Sequence, residues 1–270
     1  MPLDIFNVGF VGIISVSPIP WSIVGLTLIQ SKSISTEEQA PQDLFFKPDG
    51  TKMYLLGDDS DDITEFSLST AWDISTLSAT ATFSVGNEIS NVSGLWFKPD
   101  GTKMWAFGYA SDRVFAYSLS TAWDITTSSY DSVSFLVRAQ DHYGAELTFS
   151  TDGSQFFITS DKINEYAMTT SWDISTASHT RTSVTLPLGN ALGNYWKPDG
   201  SKLIVTGSAD DEINSYTFST NYDVSTLSAG NTVDISAIDN DPSGIFVKPD
   251  GLTLWICGKQ NDKIYEFSMG

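Results

Sequence analysis

A ten-residue pattern built around Pro-Asp-Gly recurs along the chain at an almost constant spacing. Its first copy reads Phe-Phe-Lys-Pro-Asp-Gly-Thr-Lys-Met-Tyr, at residues 45–54. A fixed period of about 50 residues indicates one supersecondary unit copied along the chain, with neighbouring units burying each other's apolar faces. The 270 residues are therefore predicted to form one repeat domain. The glycines of the five copies are 51, 52, 47 and 51 residues apart: Gly50, Gly101, Gly153, Gly200 and Gly251.

Within one unit, short apolar runs alternate with turn residues. Residues 44–46 and 53–56 are almost wholly apolar, whereas 63–68 and 80–85 alternate between apolar and polar side chains, as half-buried strands do. The residues Lys47–Gly50 have the chemistry of a tight turn. These lengths leave no room for a helix and predict four antiparallel strands, the blade of a β-propeller.

A second pattern, Trp-Asp-Ile, connects the third and fourth strands and reveals how the ring closes. A copy at Trp21 is followed by a fourth-strand pattern that has no first three strands before it, whereas residues 244–270 supply three strands and no fourth. We therefore predict an all-β fold: a five-bladed β-propeller of four-stranded antiparallel blades over residues 21–270, its last blade closed by the N-terminal strand. We interpret the recurring aromatic residue as packing between blades; the alternative is a ring of sugar-binding aromatics. Its other copies are Trp72, Trp123, Trp172 and Tyr222.

The composition excludes several kinds of partner. Lys and Arg number 14 against 33 Asp and Glu, a net charge of -19, which disfavours binding to nucleic acid or anionic lipid. No apolar run approaches the ~18 residues that a membrane helix needs, so no membrane insertion is expected. Cys257 is the single cysteine, which rules out an internal disulfide.

Strand order places the two kinds of connection on opposite faces of the ring. The Pro-Asp-Gly turns and Trp connectors share one face, the turn face. The second-to-third hairpins and the blade-to-blade loops share the other, the loop face. Its loops vary most between units and are acidic, and variable loops on a constant scaffold are where ligands usually bind. The predicted ligand-binding residues there are Glu88, Asn91, Asp141, His142, Tyr143, Asn190, Asp239 and Asp241.

The acidic residues of the loop face suggest two further possibilities, a metal site and a catalytic site. Glu38, Asp141 and Asp239 would suit Ca²⁺, which takes six to eight oxygen ligands; the alternative is a solvated acidic rim without any cofactor. The chain has no nucleophile elbow, zinc motif or phosphate loop, so we predict no enzyme. The group with catalytic potential is His142 beside Asp141 and Tyr143, and carboxylates facing across the channel could hydrolyse a glycoside.

The repeats resemble known propeller families. The Pro-Asp-Gly-x-Lys turn within a four-stranded unit resembles the broad group of Pro-Asp-Gly propeller repeats, which includes YVTN-type surface-layer proteins. The run Ser-Leu-Ser-Thr-Ala-Trp-Asp-Ile-Ser-Thr, at residues 67–76, resembles propeller arrays in virion and tail-associated proteins of tailed phages, notably marine ones, and in related bacterial proteins. The resemblance covers residues 21–270 and implies a structural or adhesive role without a catalytic residue. The third unit departs from it, with Thr151 and Gln155 in place of Pro and Lys.

Residues 1–20 lie outside the repeat and form a separate N-terminal extension. We interpret them as an arm that binds other virion proteins; a strand on the chain's own propeller or a cleaved leader are the alternatives. The expected function is that of a non-enzymatic virion protein, tail or capsid associated, whose propeller is displayed to bind a host-surface glycan or a partner protein. One alternative is a secreted carbohydrate-binding lectin or adhesin. The other is a Ca²⁺-dependent lactonase or a glycoside hydrolase-like propeller enzyme.

Overall fold

The computed structural model of the protein describes residues 18–142, 144–186 and 191–270. Sequence predictions that concern residues 1–17, Tyr143 and Asn190 lie outside this part of the chain. The described residues form five four-stranded sheets, each an antiparallel blade. The strands of blade 1 are β2 (Pro41–Phe46), β3 (Lys52–Gly57), β4 (Asp62–Leu68) and β5 (Leu77–Ser84); those of blade 2 are β6 (Val92–Phe97), β7 (Lys103–Gly108), β8 (Arg113–Leu119) and β9 (Ser128–Leu136). Those of blade 3 are β10 (Glu146–Phe149), β11 (Gln155–Thr159), β12 (Ile163–Met168) and β13 (Ala177–Thr182); those of blade 4 are β14 (Ala191–Trp196), β15 (Lys202–Gly207), β16 (Glu212–Phe218) and β17 (Leu227–Asp234); those of blade 5 are β18 (Pro242–Val247), β19 (Thr253–Gly258), β20 (Lys263–Ser268) and β1 (Thr27–Ser33).

The ring closes as the repeat pattern predicted. Blade 5 has the order β1-β20-β19-β18, so the first strand in the sequence supplies the outer edge of the last blade. The pairing runs from Thr27 opposite Ser268 to Ser33 opposite Lys263. The five-bladed propeller, its four-stranded blades and the closure by the N-terminal strand are thus confirmed.

The turn-face repeats lock together through the Trp of the connector and the Gly of the turn. Gly50 has φ +72°, a left-handed conformation that glycine adopts without strain. A Cβ on Gly50 would collide with the indole of Trp72, which lies flat against the turn. The same indole stacks on Phe46 of its own blade and on Trp255 of blade 5. These contacts support the interpretation of the recurring aromatic as a packing residue.

Each complete connector contains one turn of 3₁₀ helix, although the sequence had indicated no helix. In blade 1 the turn spans Ile74–Thr76, and the carboxylate of Asp73 accepts a hydrogen bond from the backbone N–H of Ser75. An Asp at this position satisfies an otherwise free N–H group, which explains why Asp follows the aromatic residue in four units. The other three turns are Ile125–Thr127, Ile174–Thr176 and Val224–Thr226.

Burial falls from the inner to the outer strand of each blade. The first three strands of blade 1 are almost fully buried, whereas β5 is mostly exposed. Each outer strand carries a register shift against its neighbour, between Glu65 and Phe66 in blade 1 for example. Such bulges twist an exposed edge and hinder its pairing with another chain. In the described part of the chain, no helix has the length and apolar character required to span a bilayer.

Candidate functional site

The central channel is blocked near the turn face by four aromatic side chains from the inner strands. Phe45 contacts Trp96 (ring centroids 5.3 Å apart), Trp96 contacts Tyr195 (6.1 Å), Tyr195 contacts Phe246 (4.7 Å), and Phe246 contacts Phe45 (5.4 Å). In blade 3 the equivalent residue is Thr148, and this small side chain lets the rings of blades 2 and 4 meet. Outside this plug, an apolar hollow of about 230 Å³ opens to the turn face.

Two carboxyl groups fill the channel below the plug. The same inner-strand position holds Asp43 in blade 1 and Glu146 in blade 3, and glycine in blades 2, 4 and 5. Both acids are almost inaccessible to solvent, with 3% and 2% of their surface exposed. A Cβ on Gly94 would press on Glu146, and one on Gly244 would collide with Asp43. Gly94 and Gly244 therefore make the space that the two acids occupy.

Backbone N–H groups from three inner strands bind these two acids. Asp43 accepts hydrogen bonds from the N–H of Leu44 (2.7 Å) and of Leu95 in blade 2 (2.8 Å), and Glu146 accepts one from Leu147 (2.8 Å). Among the described residues, no donor reaches Oε2 of Glu146. Burial raises the pKa of Asp43 to about 7, and burial together with the Asp43 charge raises the pKa of Glu146. A proton held between the two groups therefore supplies the missing donor and removes the repulsion.

The channel is consequently closed to small molecules at mid-height. The space left around Asp43, Glu146 and the aromatic plug is about 10 Å³, no more than one water molecule requires. A ligand could bind at either mouth but could not pass from one to the other.

A polar pocket of about 370 Å³ occupies the mouth on the loop face. We call it the loop-face pocket; it lies between the hairpins of blades 1 and 5 and the inner strands of several blades. Two of its residues, Asn91 and Asp241, were predicted from the sequence as ligand-binding. The residues lining it are Gln42, Asp58, Asn91, Val92, Ser93, Tyr109, Ala145, Leu192, Ser208, Asp241 and Lys259.

A lysine between two carboxylates is the main charged feature of the loop-face pocket. Burial lowers the pKa of Lys259, while the charges of Asp241 and Asp58 act in the opposite direction. Burial raises the pKa of both Asp58 and Asp241. Among the described residues, nothing forms a hydrogen bond or ion pair with the Lys259 ammonium, and Asp58 Oδ1 and Ser93 Oγ are buried without a partner. The pocket thus has unused donors and acceptors, which a polar ligand would satisfy.

His142 and Glu88, two further predicted residues on the loop face, lie beside other polar side chains of the protein. His142 Nδ1 lies 3.0 Å from Oδ2 of Asp112, a fully buried carboxylate that also accepts a hydrogen bond from Arg138. Glu88 lies beside the hydroxyl of Tyr117 in blade 2. The carboxylate within hydrogen-bond distance of the His142 imidazole is therefore that of Asp112.

The three predicted calcium ligands occupy one equivalent position in three separate blade-to-blade loops. Glu38 accepts hydrogen bonds from the N–H groups of Gln39 and Ala40. Asp141 accepts hydrogen bonds from Ser160 and Asn164, and Asp239 from Asn261 and Tyr265. Each carboxylate thus stabilises its own loop, and the three do not converge. The described residues contain no group of three or more His, Cys, Asp or Glu side chains that could hold a metal ion.

Much of the remaining acidity of the loop face follows from turn geometry. Asp61, Asp112, Asp211 and Asp262 end the second-to-third hairpins with positive φ, a conformation that Asp tolerates better than most residues. Their carbonyl groups accept hydrogen bonds from the next blade-to-blade loop, as from Val85 to Asp61. These aspartates are therefore explained by the fold, unlike Asp58 and Asp241.

Comparison with known proteins identifies the fold and no family. No family model matches the chain, and neither does any curated protein sequence. The β-propeller domain of Cps50 (Swd1) from Myceliophteria thermophila matches with a TM-score of 0.52 and 10% identity, over 91% of this chain and 100% of that one. Two proteins named "putative 6-phosphogluconolactonase" match with a TM-score of 0.51: one from Bacteroides uniformis (16% identity, 82% of this chain) and one from Bacteroides fragilis (14%, 84%). The chain spans 64% and 65% of their lengths, less than two thirds. At these identities the likeness shows a β-propeller fold alone.

Proposed function

We propose that this chain is a non-enzymatic binding propeller that recognises a neutral saccharide in the loop-face pocket. The observation that carries the proposal is a pair of buried polar atoms without a partner among the described residues, Asp58 Oδ1 and Ser93 Oγ, in the pocket that Lys259 also lines. Ligand pockets combine an enclosed volume with a few convergent polar groups, and this pocket of about 370 Å³ is large enough for a sugar ring.

The chemistry of the pocket favours hydroxyl groups over charged ligands. A hydroxyl both donates and accepts, so it can bridge Asp58 or Asp241 to Lys259 without bringing a new charge into the pocket. Tyr109 adds an aromatic ring at the rim, against which the C–H face of a sugar could pack. An anionic ligand would instead meet two nearby carboxylates and a net charge of -19.

Binding to a neutral-glycan array, followed by calorimetric titration of the strongest glycan, tests this proposal. The Lys259→Met and Asp241→Asn variants are expected to weaken binding about tenfold or more, since each removes hydrogen bonds to the ligand. Lys32→Met, which changes a lysine on the outer strand β1, is the matched control and should bind normally. Equal binding by all four proteins would exclude the loop-face pocket as the binding site.

We further propose that the propeller is displayed on a virion, with residues 1–20 holding it to other virion proteins. The repeat resemblance supports this location, and so does the chain entry point: the Trp21 N–H donates to the Gly251 carbonyl (2.8 Å) on the turn face. Size-exclusion chromatography with light scattering should give an oligomer for the full chain and a folded monomer for a variant lacking residues 1–20. Identical monomers would rule out the arm.

A hydrolase of lactone substrates is the second candidate, favoured by the same buried lysine. A lysine whose pKa is lowered beside carboxylates whose pKa values are raised is a typical setting for acid–base chemistry. Hydrolysis of a sugar lactone that Lys259→Met and Asp58→Asn both abolish, without loss of fold, would favour this candidate over simple binding.

A further inference from the structure

On the turn face, four of the five blade interfaces are bridged by polar contacts to the connector of the next blade. Between blades 1 and 2, Lys52 Nζ and the Tyr54 hydroxyl both donate to the Trp123 carbonyl at 2.8 Å. Between blades 4 and 5, Lys202 Nζ donates to the Trp21 carbonyl at 2.6 Å. Arg181 reaches Asp223 between blades 3 and 4, and Gln30 reaches Asp73 between blades 5 and 1.

The interface between blades 2 and 3 is the exception. Within the described residues, no hydrogen bond or ion pair joins the strands of blade 2 to the connector around Trp172. Ala116 stands where blades 1, 3 and 5 have Glu65, Glu165 and Glu266. Lys103, the equivalent of Lys52, turns back to Asp131 of its own blade at 2.6 Å.

A cleft of about 590 Å³ results, and we call it the blade 2/3 cleft. Its apolar floor includes Ala116, Val133 and Ile174, and its walls carry lysine, aspartate and serine side chains. At the position where Tyr54 of blade 1 bonds a connector carbonyl, blade 2 has Trp105, whose buried Nε1 has no partner among the described residues, as is also true of the equivalent Trp255 in blade 5. The interface between blades 2 and 3 thus lacks the polar contacts that close the other four interfaces on the turn face.

We propose that the blade 2/3 cleft is a second ligand site, on the face opposite the loop-face pocket, and that it binds a neutral polyhydroxylated ligand such as an oligosaccharide. The Lys103–Asp131 pair is charge-balanced and leaves no net charge for an ion to match. Ser118 on β8 and Ser171 on the connector offer hydroxyl groups, and Asp173, whose Oδ1 accepts from Ser175, offers its other carboxylate oxygen. Alternating hydroxyl and C–H groups on a sugar match polar walls above an apolar floor.

A variant that closes the cleft by copying the chain's own pattern tests the proposal. In blades 1 and 3, Thr80 and Thr180 donate to the carboxylates of Glu65 and Glu165 at 3.0 and 2.8 Å. The double variant Ala116→Glu with Asp131→Thr recreates that arrangement in blade 2. We expect it to fold with an unchanged or higher melting temperature, because it copies a native interface.

Neutral-glycan arrays are compared for the wild type, the closed double variant and Lys259→Met. The proposal expects glycans whose Kd rises about tenfold or more in the closed variant but stays the same in Lys259→Met. Glycans whose binding is lost only in the Lys259→Met variant are assigned to the loop-face pocket, so the array distinguishes ligands of the two sites. The proposal is overturned when no bound glycan is sensitive to closure of the cleft. If the double variant fails to fold, Ser118→Trp, which fills the cleft from the end of β8, gives the same readout.

Discussion

The carboxyl groups of Asp43 and Glu146 meet in the channel, although they belong to blades 1 and 3, and the Asp43 charge raises the pKa of Glu146. Three blades contribute N–H groups to this pair, since Leu44, Leu95 and Leu147 all donate to it. The thiol of Cys257 is buried close by, and its pKa is raised by burial and by both acids. The pair therefore couples the proton content of the protein to the packing of its ring.

The first prediction concerns the pH dependence of stability. The pKa of Asp43 is raised to about 7 in the folded protein, above its ordinary 3.8, so the folded state binds the extra proton. Its contribution to stability is complete below about pH 4 and is lost as the pH rises through about 7. The Glu146→Gln variant keeps a donor to Asp43 and removes the repulsion.

Melting temperatures measured from pH 5 to 8 check this. We expect the Glu146→Gln variant to become more stable than the wild type as the pH rises. At pH 8 the difference should be about 1–2 kcal/mol in the free energy of unfolding, or roughly 2–8 °C in melting temperature. Asp49, Asp100 and Asp199 have pKa values lowered to about 2 and do not titrate in this range. A constant difference between the two proteins from pH 5 to 8 would argue against a shared proton.

The second prediction concerns the aromatic residue of the connector. Trp72→Ala removes the indole that lies against Gly50 and stacks on Trp255, and should destabilise the fold by about 3–5 kcal/mol. Trp72→Tyr should cost less than about 1.5 kcal/mol, because Tyr222 fills the equivalent position in blade 4. Urea unfolding measures both. Equal effects of the two substitutions would mean that ring packing does not account for the repeat.

The third prediction compares two equivalent lysines. Lys52 bonds Glu65, which is 5% exposed, and the carbonyl of Trp123 in the next blade. Lys52→Met should therefore cost about 1–3 kcal/mol, because a buried carboxylate and a carbonyl both lose a donor. Lys103→Met breaks only the more accessible pair with Asp131 and should cost about 0–1 kcal/mol. Thermal denaturation of both variants measures the two losses of stability. A larger loss for Lys103→Met than for Lys52→Met would contradict the assignment of the open interface.

The fourth prediction concerns the glycines that make room for the channel acids. A Cβ on Gly244 would collide with the backbone and carboxylate of Asp43, so Gly244→Ala should destabilise the protein by about 1–3 kcal/mol. Gly86→Ala is the control, since the nearest atom to its Cβ would be Cβ of Asp61, 3.3 Å away. If both variants have the melting temperature of the wild type, the channel can accept a Cβ at Gly244 and the predicted collision with Asp43 does not occur.

The sequence predicted the fold well because strand pattern and turn chemistry are local and were repeated five times. The ring closure could also be predicted, since Trp21 marks an incomplete unit at one end and Phe267 ends another. Long-range pairing of Asp43 with Glu146 could not be predicted from any one unit. The signal was present, however: this inner-strand position is Gly in three units and acidic in only two.

The candidate sites were predicted less well for a related reason. Glu38, Asp141 and Asp239 looked like free carboxylates on variable loops, but all three share one position in their loops and are bonded within the protein. Lys259 was missed because a single lysine in a hairpin has no motif. Its importance comes from Asp58 and Asp241, which reach it from other parts of the ring.

The pairing of β1 with β20 makes one blade a seam. Among the strand pairings of the described residues, this one joins the strands that are farthest apart along the chain. The entropy cost of closing so long a loop is small only when the rest of the ring already holds the two strands near each other. We therefore expect the seam to form last in folding and to open first under mechanical load or mild denaturant. Resistance to proteolysis would then depend on whether β1 stays paired with β20. A circular permutant whose new termini lie between two complete blades would have all four strands of blade 5 in one continuous segment, and this blade would no longer be a weak point.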